Sequence, residues 1–342
     1  MNKINTNEII LILNPNSQGG NTGKNWISTY SKVKEFLPKN HRIIFTKKTN
    51  DGIFETRKLL RKGCKNIVAI GGDGTINEIA NGFFNLRPQN RNIKNLEKFN
   101  FNTKLKLVNP NGVLYIIPSG SRNVLARSFG LKHQGEQALK RIKQMKRRKM
   151  DAILAVITDK DSPSLTHKRI ILNAAEIGVG AEIIDRSKRV RRKIKSRFVS
   201  TMASIVATLP AYNSNECDIV IDRHKRISSN MTMGVIANGR FLGGGFKAAP
   251  RAKFLDGLLD IIILKNSGSL KMLDKLVELK GTSTYKFKED ILYYQASEVK
   301  FLPKERNVTV SVDGEPIGML PAIFKSYHDA LTIKTESPLS KI

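Results

Sequence analysis

Cysteine is nearly absent: Cys64 and Cys217 are the only two in 342 residues. They stand far apart and form no CxxC pair, so neither a disulfide scaffold nor a zinc cluster can be built from them. Small buried apolar side chains in a reducing cytoplasm are the expected reading of both. Long hydrophobic runs are also missing, and no stretch approaches the ~20 apolar residues that cross a bilayer. The opening MNKINTNEIILILNP holds a short apolar run that reads as a strand rather than as a signal peptide. The five histidines (His41, His133, His167, His224, His328) are scattered, with no HExxH and no triad spacing. Acidic residues are outnumbered, 29 Asp+Glu against 59 Lys+Arg, for a net charge of +30. Such a balance suits polyanionic partners: nucleic acid, acidic lipid or a phosphorylated substrate. A Lys/Asn/Ile-rich coding bias produces the same total, so the clustering of charge matters more than its sum. No DNA- or RNA-binding motif accompanies the charge and aromatics make up only 7% of the chain, so nucleic acid is not the expected partner.

What is present is ordinary globular composition, with 40% hydrophobic residues, 25 Gly and 12 Pro. The length is too great for one compact core and comfortable for two. Residues 8–13 (EIILIL) have the continuous apolar pattern of a buried strand. A helical stripe follows through Trp26, Tyr30, Val33 and Leu37, stopped at Pro38. HRIIFTKKT reads as a second strand, and residues 51–63 as a helix ending at Gly63, a C-cap candidate. NIVAIGG, then a helix carrying Ile76, Ala80, Phe83 and Phe84, then GVLYIIPSGS and a helix from about Asn123 to Phe129 complete the series. Strand and helix alternate four times, which predicts a parallel α/β sheet. From about Asp151 the rhythm changes to short strands between turns (AILAVIT, RIILNAAEIGVG, CDIVID, TMGVIAN, LLDIIILK, SEVKFL, NVTVSVDG, ALTIKT), spaced as in an antiparallel sandwich. One long helix, about 182–208, interrupts them before Pro210. The Asn- and Lys-rich stretch from Arg87 to Pro110 reads as a polar insertion.

Three glycine-rich turns each follow a predicted strand and precede a helix. They are Asn14-Pro15-Asn16-Ser17-Gln18-Gly19-Gly20, Gly71-Gly72-Asp73-Gly74-Thr75, and Pro118-Ser119-Gly120-Ser121-Arg122-Asn123. Glycine lets backbone N–H groups approach a phosphate, and a helix N-terminus adds positive potential. Successive strands of one sheet bring such turns to one edge. None matches GxGxxG or GxxxxGK[ST], which disfavours a dinucleotide site and a P-loop. Asp73, among three glycines, is tolerable beside phosphates if it binds Mg²⁺ or takes a proton from an attacking hydroxyl; a turn or cap residue is the alternative.

GGDGTINEIANG, with NPNSQGG before it and PSGSRNVLAR after it, resembles the diacylglycerol kinase catalytic-domain family of lipid kinases, in its bacterial branch related to sphingosine kinases. Matching segments continue in family order through Asn173 and Gly178, the triple Gly243-Gly244-Gly245, Asp256-Gly257-Leu258-Leu259-Asp260, and Asp313-Gly314-Glu315. The resemblance implies a Rossmann-like parallel α/β domain (residues 1–149, with about 333–342 returning to it) and an antiparallel β-sandwich domain (150–332), with the active site in the cleft between. It implies ATP phosphates at Asn14, Ser17 and Gly19, with Thr46 nearby, and a nucleotide lined by Gly72, Asp73, Gly74 and Thr75. Glu78 and Asn81 lie on the next helix, and Gly120, Ser121 and Asn123 complete the pocket. Asp313 is the first choice for the base that deprotonates a lipid hydroxyl, with Glu315 positioning it or the active Mg²⁺; Asp73 is the other candidate. Asp256 and Asp260 resemble the family's second, structural Mg²⁺ site. Ser121 stands where Thr is usual, and Val124 where many members have Asp.

Two basic clusters stand out. Residues 186–197 (RSKRVRRKIKSR, opening at Arg186 and closing at Arg197) place Val190, Ile194 and Phe198 in a stripe among cations on the long helix. Residues 140–149, from Lys140 to Lys149, form the second. Both suit an anionic membrane surface; a solvated helix face is the alternative. The expectation is therefore an ATP- and Mg²⁺-dependent lipid kinase, cytoplasmic and peripherally membrane-associated, acting on diacylglycerol or another lipid alcohol, with a homodimer implied by the resemblance alone. The rivals are an NAD kinase-like phosphotransferase, which shares the GGDGT turn, and a basic membrane- or nucleic-acid-binding protein with an inactive kinase fold.

Overall fold

The structure, a computed structural model, describes residues 8–86, 105–190, 203–205, 207–208, 212–243, 246–266, 290–304 and 308–336. The chain divides into two compact units. Among described residues the first comprises 8–86, 105–152 and 328–336, and the second lies within 153–327.

In the first unit, β1 (Ile9–Leu13) is buried throughout. It leads through a 3-10 turn (Ser17–Gly20) and a short helix α1 (Asn21–Lys24) into α2 (Trp26–Val33). That helix stops short of the expected Pro38, although Leu37 is still buried. β2 (His41–Phe45) and α3 (Asp51–Arg61) follow. Asp51 supplies the acid of the first helical turn and Lys58 and Arg61 the cations of the last, the arrangement favoured by the helix dipole. Gly63, at φ 89°, ends the helix as expected, with the Cys64 amide donating back to Leu59 O. β3 (Asn66–Gly71), α4 (Asp73–Gly82), β4 (Val113–Pro118), α5 (Val124–Ser128) and α6 (Gly135–Lys140) complete the series. Four strands lie in the order β2-β1-β3-β4, all parallel. The sheet is extended by a strand from far along the chain: Ile333 and Lys334 pair in parallel with Leu114 and Tyr115. One core of this unit gathers Leu11, Leu13, Val68, Ile70 and Ile117 from the sheet with Trp26, Val33 and Leu139 from the helices.

β5 (Lys146–Thr158) carries the chain out of this unit, followed by β6 (Thr166–Ile171), β7 (Ala174–Gly178), α7 (Val179–Val190), β8 (Asn215–Ile221), β9 (Lys225–Ala237), β10 (Leu259–Lys265), β11 (Ile291–Ala296), β12 (Glu298–Pro303), β13 (Thr309–Val312) and β14 (Glu315–Thr335). The pairings of the second unit are antiparallel. A shared core draws on nearly all of these strands, with Ile157, Ile177, Ile219, Ile236, Ile261, Phe301, Val310 and Phe324 among its members, as a sandwich requires. β10 explains its unbroken apolar run. Leu259, Ile261 and Ile263 face that core, while Ile262 and Leu264 face a second one with Val179 and Ile183 of α7. Two expectations need correction. RIILNAAEIGVG is two strands broken at Leu172-Asn173, for a reason given below. The long helix begins at Val179 rather than near 182 and is described through Val190; most of the remainder, including residues 191–197 of the first basic cluster, lies outside the described residues.

Candidate active site

The expected site residues fall into two sets, one in each unit. In the first unit the three glycine-rich turns leave the C-terminal ends of β1, β3 and β4, which are neighbours in the parallel sheet. Side chains tie the turns together. Asn14 Nδ2 donates to Thr75 Oγ1 at 3.0 Å, while Asn14 Oδ1 accepts from the Asn16 amide at 2.9 Å. Gln18 Nε2 reaches Gly120 O at 3.5 Å, and Thr22 Oγ1 reaches Ser119 O at 3.4 Å. The Ser119 amide donates to Gly71 O at 2.7 Å.

The backbone requirements differ between turns. Gln18, Gly19 and Gly20 have φ of 56°, 69° and 93°, yet a Cβ on either glycine would meet nothing within 4 Å. The first turn thus demands glycine for its dihedral angles and leaves the space above it open. Gly72 and Gly120 demand it for contact, since a Cβ on Gly120 would lie 2.3 Å from the Gly72 Cα. The third turn is held from below by Asn123, buried and at φ 48°. Its Oδ1 accepts from the Gly120 amide and its Nδ2 donates to Gly120 O, both at 2.9 Å, and to Gln134 Oε1 at 2.8 Å. Ser17 is partly exposed and Ser121 exposed at this edge.

Asp73, Gly74 and Thr75 are the first residues of α4 rather than turn residues. Asp73 Oδ1 accepts from the Leu125 amide at 3.0 Å. Burial pushes its carboxyl up; the Leu125, Val124 and Asp73 amides and the Arg122 charge pull it back only in part. Its carboxylate therefore caps α5 and clamps the third turn to the second. Glu78 Oε1 accepts from the Asn50 amide at 2.8 Å and Oε2 from the Gly52 amide at 3.2 Å, which caps α3. Asn81 is buried and donates to Asn77 O and Oδ1 within α4. Thr46 is buried, its amide continuing the β1–β2 ladder to Leu13 O. Sequence reasoning missed Gln18, Thr22 and Gln134. Gln18 lies within the first turn and Thr22 just beyond it, both legible as polar neighbours of glycine; Gln134 carries no local signal.

In the second unit, Asp313 and Gly314 form the two-residue turn between β13 and β14, with φ of 45° and 82° and Val312 paired to Glu315. Positive φ at both positions is the type I′ geometry that Asp-Gly favours. The Asp313 carboxylate does more than turn the chain. Its Oδ1 accepts from the Asn173 and Ala174 amides, each at 3.0 Å, and its Oδ2 from the Leu172 amide at 3.1 Å. Those amides are freed because the chain leaves the ladder at Leu172-Asn173, which is why one apolar run becomes two strands. Asn173 in turn donates through Nδ2 to Phe241 O at 2.8 Å. Glu315, partly buried, opens β14.

Asp256 Oδ1 accepts from the Leu258 amide at 3.1 Å across Gly257, at φ 73°. Asp260 is fully buried on β10. Its Oδ1 accepts weakly from Gln295 Nε2 at 3.4 Å, and Oδ2 has no hydrogen-bond partner among the described residues. Burial, and next the charge of Asp256, push its carboxyl up to about 7 against Gln295, Lys253 and Arg251. An orphaned carboxylate oxygen beside a second carboxylate fits a hard, oxygen-seeking cation. Of the glycine triple, Gly244 and Gly245 lie outside the described residues.

These features define a class: an α/β unit with three linked glycine-rich turns at one sheet edge, followed by an antiparallel unit with ordered acids. Residues 8–155 match the family model described as the diacylglycerol kinase catalytic domain, and residues 173–335 that of the YegS C-terminal NAD kinase beta sandwich-like domain. A Chromohalobacter salexigens protein named "Probable lipid kinase YegS-like" is 26% identical over 272 residues, 78% of this chain and 74% of that one. The protein named diacylglycerol kinase of Bacillus subtilis is 25% identical over 266 residues, 77% and 75% of the two chains. A crystal structure of a diacylglycerol kinase from Bacillus anthracis superposes with a TM-score of 0.64 at 19% identity, over 95% of this chain and 96% of that one, which speaks for the fold. The chain belongs to the diacylglycerol kinase catalytic-domain family. It is a kinase enzyme of the lipid-kinase class, and that membership implies ATP as phosphoryl donor. No helix among the described residues is long and apolar enough to cross a membrane.

Proposed function

We propose that the protein transfers the terminal phosphate of ATP to a hydroxyl of diacylglycerol or a related lipid alcohol, with Mg²⁺. The observation that carries this reading is the cross-linking of three glycine turns into one phosphate-suited edge by Asn14, Gln18, Thr22 and Asp73. In-line phosphoryl transfer asks little covalent chemistry of the protein; it asks for positioning and for one proton acceptor. The first-turn backbone and the Gly72 amide would position phosphates, while the Gly120 amide is spent on Asn123 Oδ1 and fixes the third turn. Asp313 is taken as the proton acceptor on the family resemblance, with three amides fixing where its carboxylate stands; Asp73, whose carboxylate caps α5, is the other candidate. Glu315, two residues on, positions substrate or metal. Asp256 and Asp260 would hold Mg²⁺, which would neutralise two neighbouring carboxylates and order the turn before β10.

Lipid access would come through cationic surface. Lys143, Lys146, Arg147 and Lys149 of the second basic cluster are exposed, whereas Lys140 and Arg141 are engaged with Glu136 and Glu336. In the first cluster, Arg186 donates to Ala207 O and Arg189 pairs with Asp185, so these two stabilise the unit itself. The testing experiment incubates the protein with labelled ATP, Mg²⁺ and anionic mixed vesicles offering several lipid alcohols, with NAD as a soluble alternative acceptor. Labelled lipid from the wild type and none from Asp313→Asn is expected; labelled NAD alone would overturn the reading.

A further inference from the structure

The outward face of α3 takes no part in the chemistry described above, and it is unusual in having cations around a hollow. Phe54, Arg57, Lys58, Arg61 and Lys62 line a surface pocket of about 420 Å³. Their spacing of i, i+3, i+4, i+7 and i+8 is one helical face, and the opposite face buries Gly52, Thr56, Leu59 and Leu60. No carboxylate lines the pocket. Arg57 is the distinctive member. Its Nη2 donates to Phe84 O at 3.4 Å, which anchors the guanidinium, while its Nε is buried with no acceptor among the described residues. Burial, and next the charge of Arg61, push the Arg57 pKa down. A buried donor without an acceptor is costly, and like charges one turn apart repel. The repulsion falls if an anion sits between them, whereas the Nε, closed off from solvent, stays out of its reach.

We propose that this face is a binding site for a phosphate monoester, with the anchored Arg57 guanidinium, Lys58, Arg61 and Lys62 as the charge around it and Phe54 against the carrier's apolar part. A monoester offers three acceptor oxygens to a fan of N–H donors, which a singly charged diester does not. The pocket is larger than one phosphate and leaves room for its carrier; Phe54, 61% exposed, is the apolar wall. Two sources carry this chemistry, the headgroup of an interfacial lipid and soluble phosphate. The site goes beyond the proposed catalytic reading and does not require it.

Cosedimentation of the full chain, without ATP or lipid alcohol, tests the proposal. Vesicles of phosphatidylcholine carry either phosphatidic acid, a monoester, or phosphatidylglycerol, a diester, at matched surface charge. The wild type is expected to prefer the monoester by at least about tenfold, the scale of one charge-assisted hydrogen bond. Arg57→Gln and the double variant Lys58→Glu/Arg61→Glu are each expected to lose that preference. The double variant changes exposed side chains only, so a loss of preference there does not depend on how Arg57→Gln folds. If vesicles show no preference but inorganic phosphate raises the melting temperature of the wild type and not of the double variant, the site stands and its source is soluble. Absence of both effects, or their persistence in both variants, overturns it. Failure of the lipid-kinase reading would appear separately, as absence of labelled lipid in the ATP assay.

Discussion

Asp73 and Asp313 are both acids at strand ends among glycines, yet the backbone uses them in different ways. Asp73 takes an amide from the first turn of α5, so replacing it acts first on structure. Asp73→Ala should cost about 1 kcal/mol in stability, the usual scale of a lost cap, and raise the KM for ATP as the third turn loosens. Asp313→Asn should instead lower kcat by about 10²–10⁴, the range of a lost proton acceptor, with the KM for ATP little changed. Steady-state kinetics on both variants separates the roles; a kcat collapse in Asp73→Asn with Asp313→Asn active would reverse the assignment. The cysteines give a second residue-scale expectation. Burial pushes the Cys64 thiol up to about 11 and Cys217 to about 12. Only the thiolate is nucleophilic, so at pH 8 neither should react with a disulfide reagent in the folded protein, and both should react after unfolding. A fast-reacting native thiol would contradict that burial.

At the scale of elements, the contact between Gly72 and Gly120 sets how close two strand ends approach. Gly120→Ala would place a methyl 2.3 Å from the Gly72 Cα, backbone that cannot yield without moving a turn. A loss of about a hundredfold in kcat/KM is expected, the scale on which small misplacements are felt. Gly19→Ala, with open space around it but φ at 69°, should cost roughly 1–2 kcal/mol of strain and less activity. Comparing their kinetics and melting temperatures distinguishes crowding from strain. The glycines themselves were legible in the sequence, as were the parallel strands beneath them, because apolar runs and turn chemistry are local signals. What joins the turns was less so: Gln134 under Asn123 is a long-range partner with no pattern of its own. The break at Leu172-Asn173 was hidden for the same reason. The amides at the break are taken up by a carboxylate roughly 140 residues later, Asp313, and hydrophobic periodicity alone joined the two strands. For Asp73 the sequence left a chemical role and a cap both open, and its carboxylate does cap a neighbouring helix.

For the whole molecule, a net charge of +30 governs encounters. Retention on anionic vesicles should fall steeply as salt rises from about 0.1 M, where the screening length is about 10 Å; salt-independent retention would point to apolar insertion instead. The connectivity carries a further expectation. A chain ended at Lys325 would keep all of β4 yet lose Leu331 and Ile333, both buried, and the pairing with Leu114 and Tyr115. It should melt well below the full chain and expose a strand edge prone to association, measurable by calorimetry and light scattering. The same return strand bears on how the protein is born. A ribosome finishes β4 at Pro118 but does not supply Ile333 until some two hundred codons later, an interval on the order of ten to forty seconds. During translation the earlier-made unit must wait with an open sheet edge for the strand that closes it, while the later-made unit can fold as it emerges.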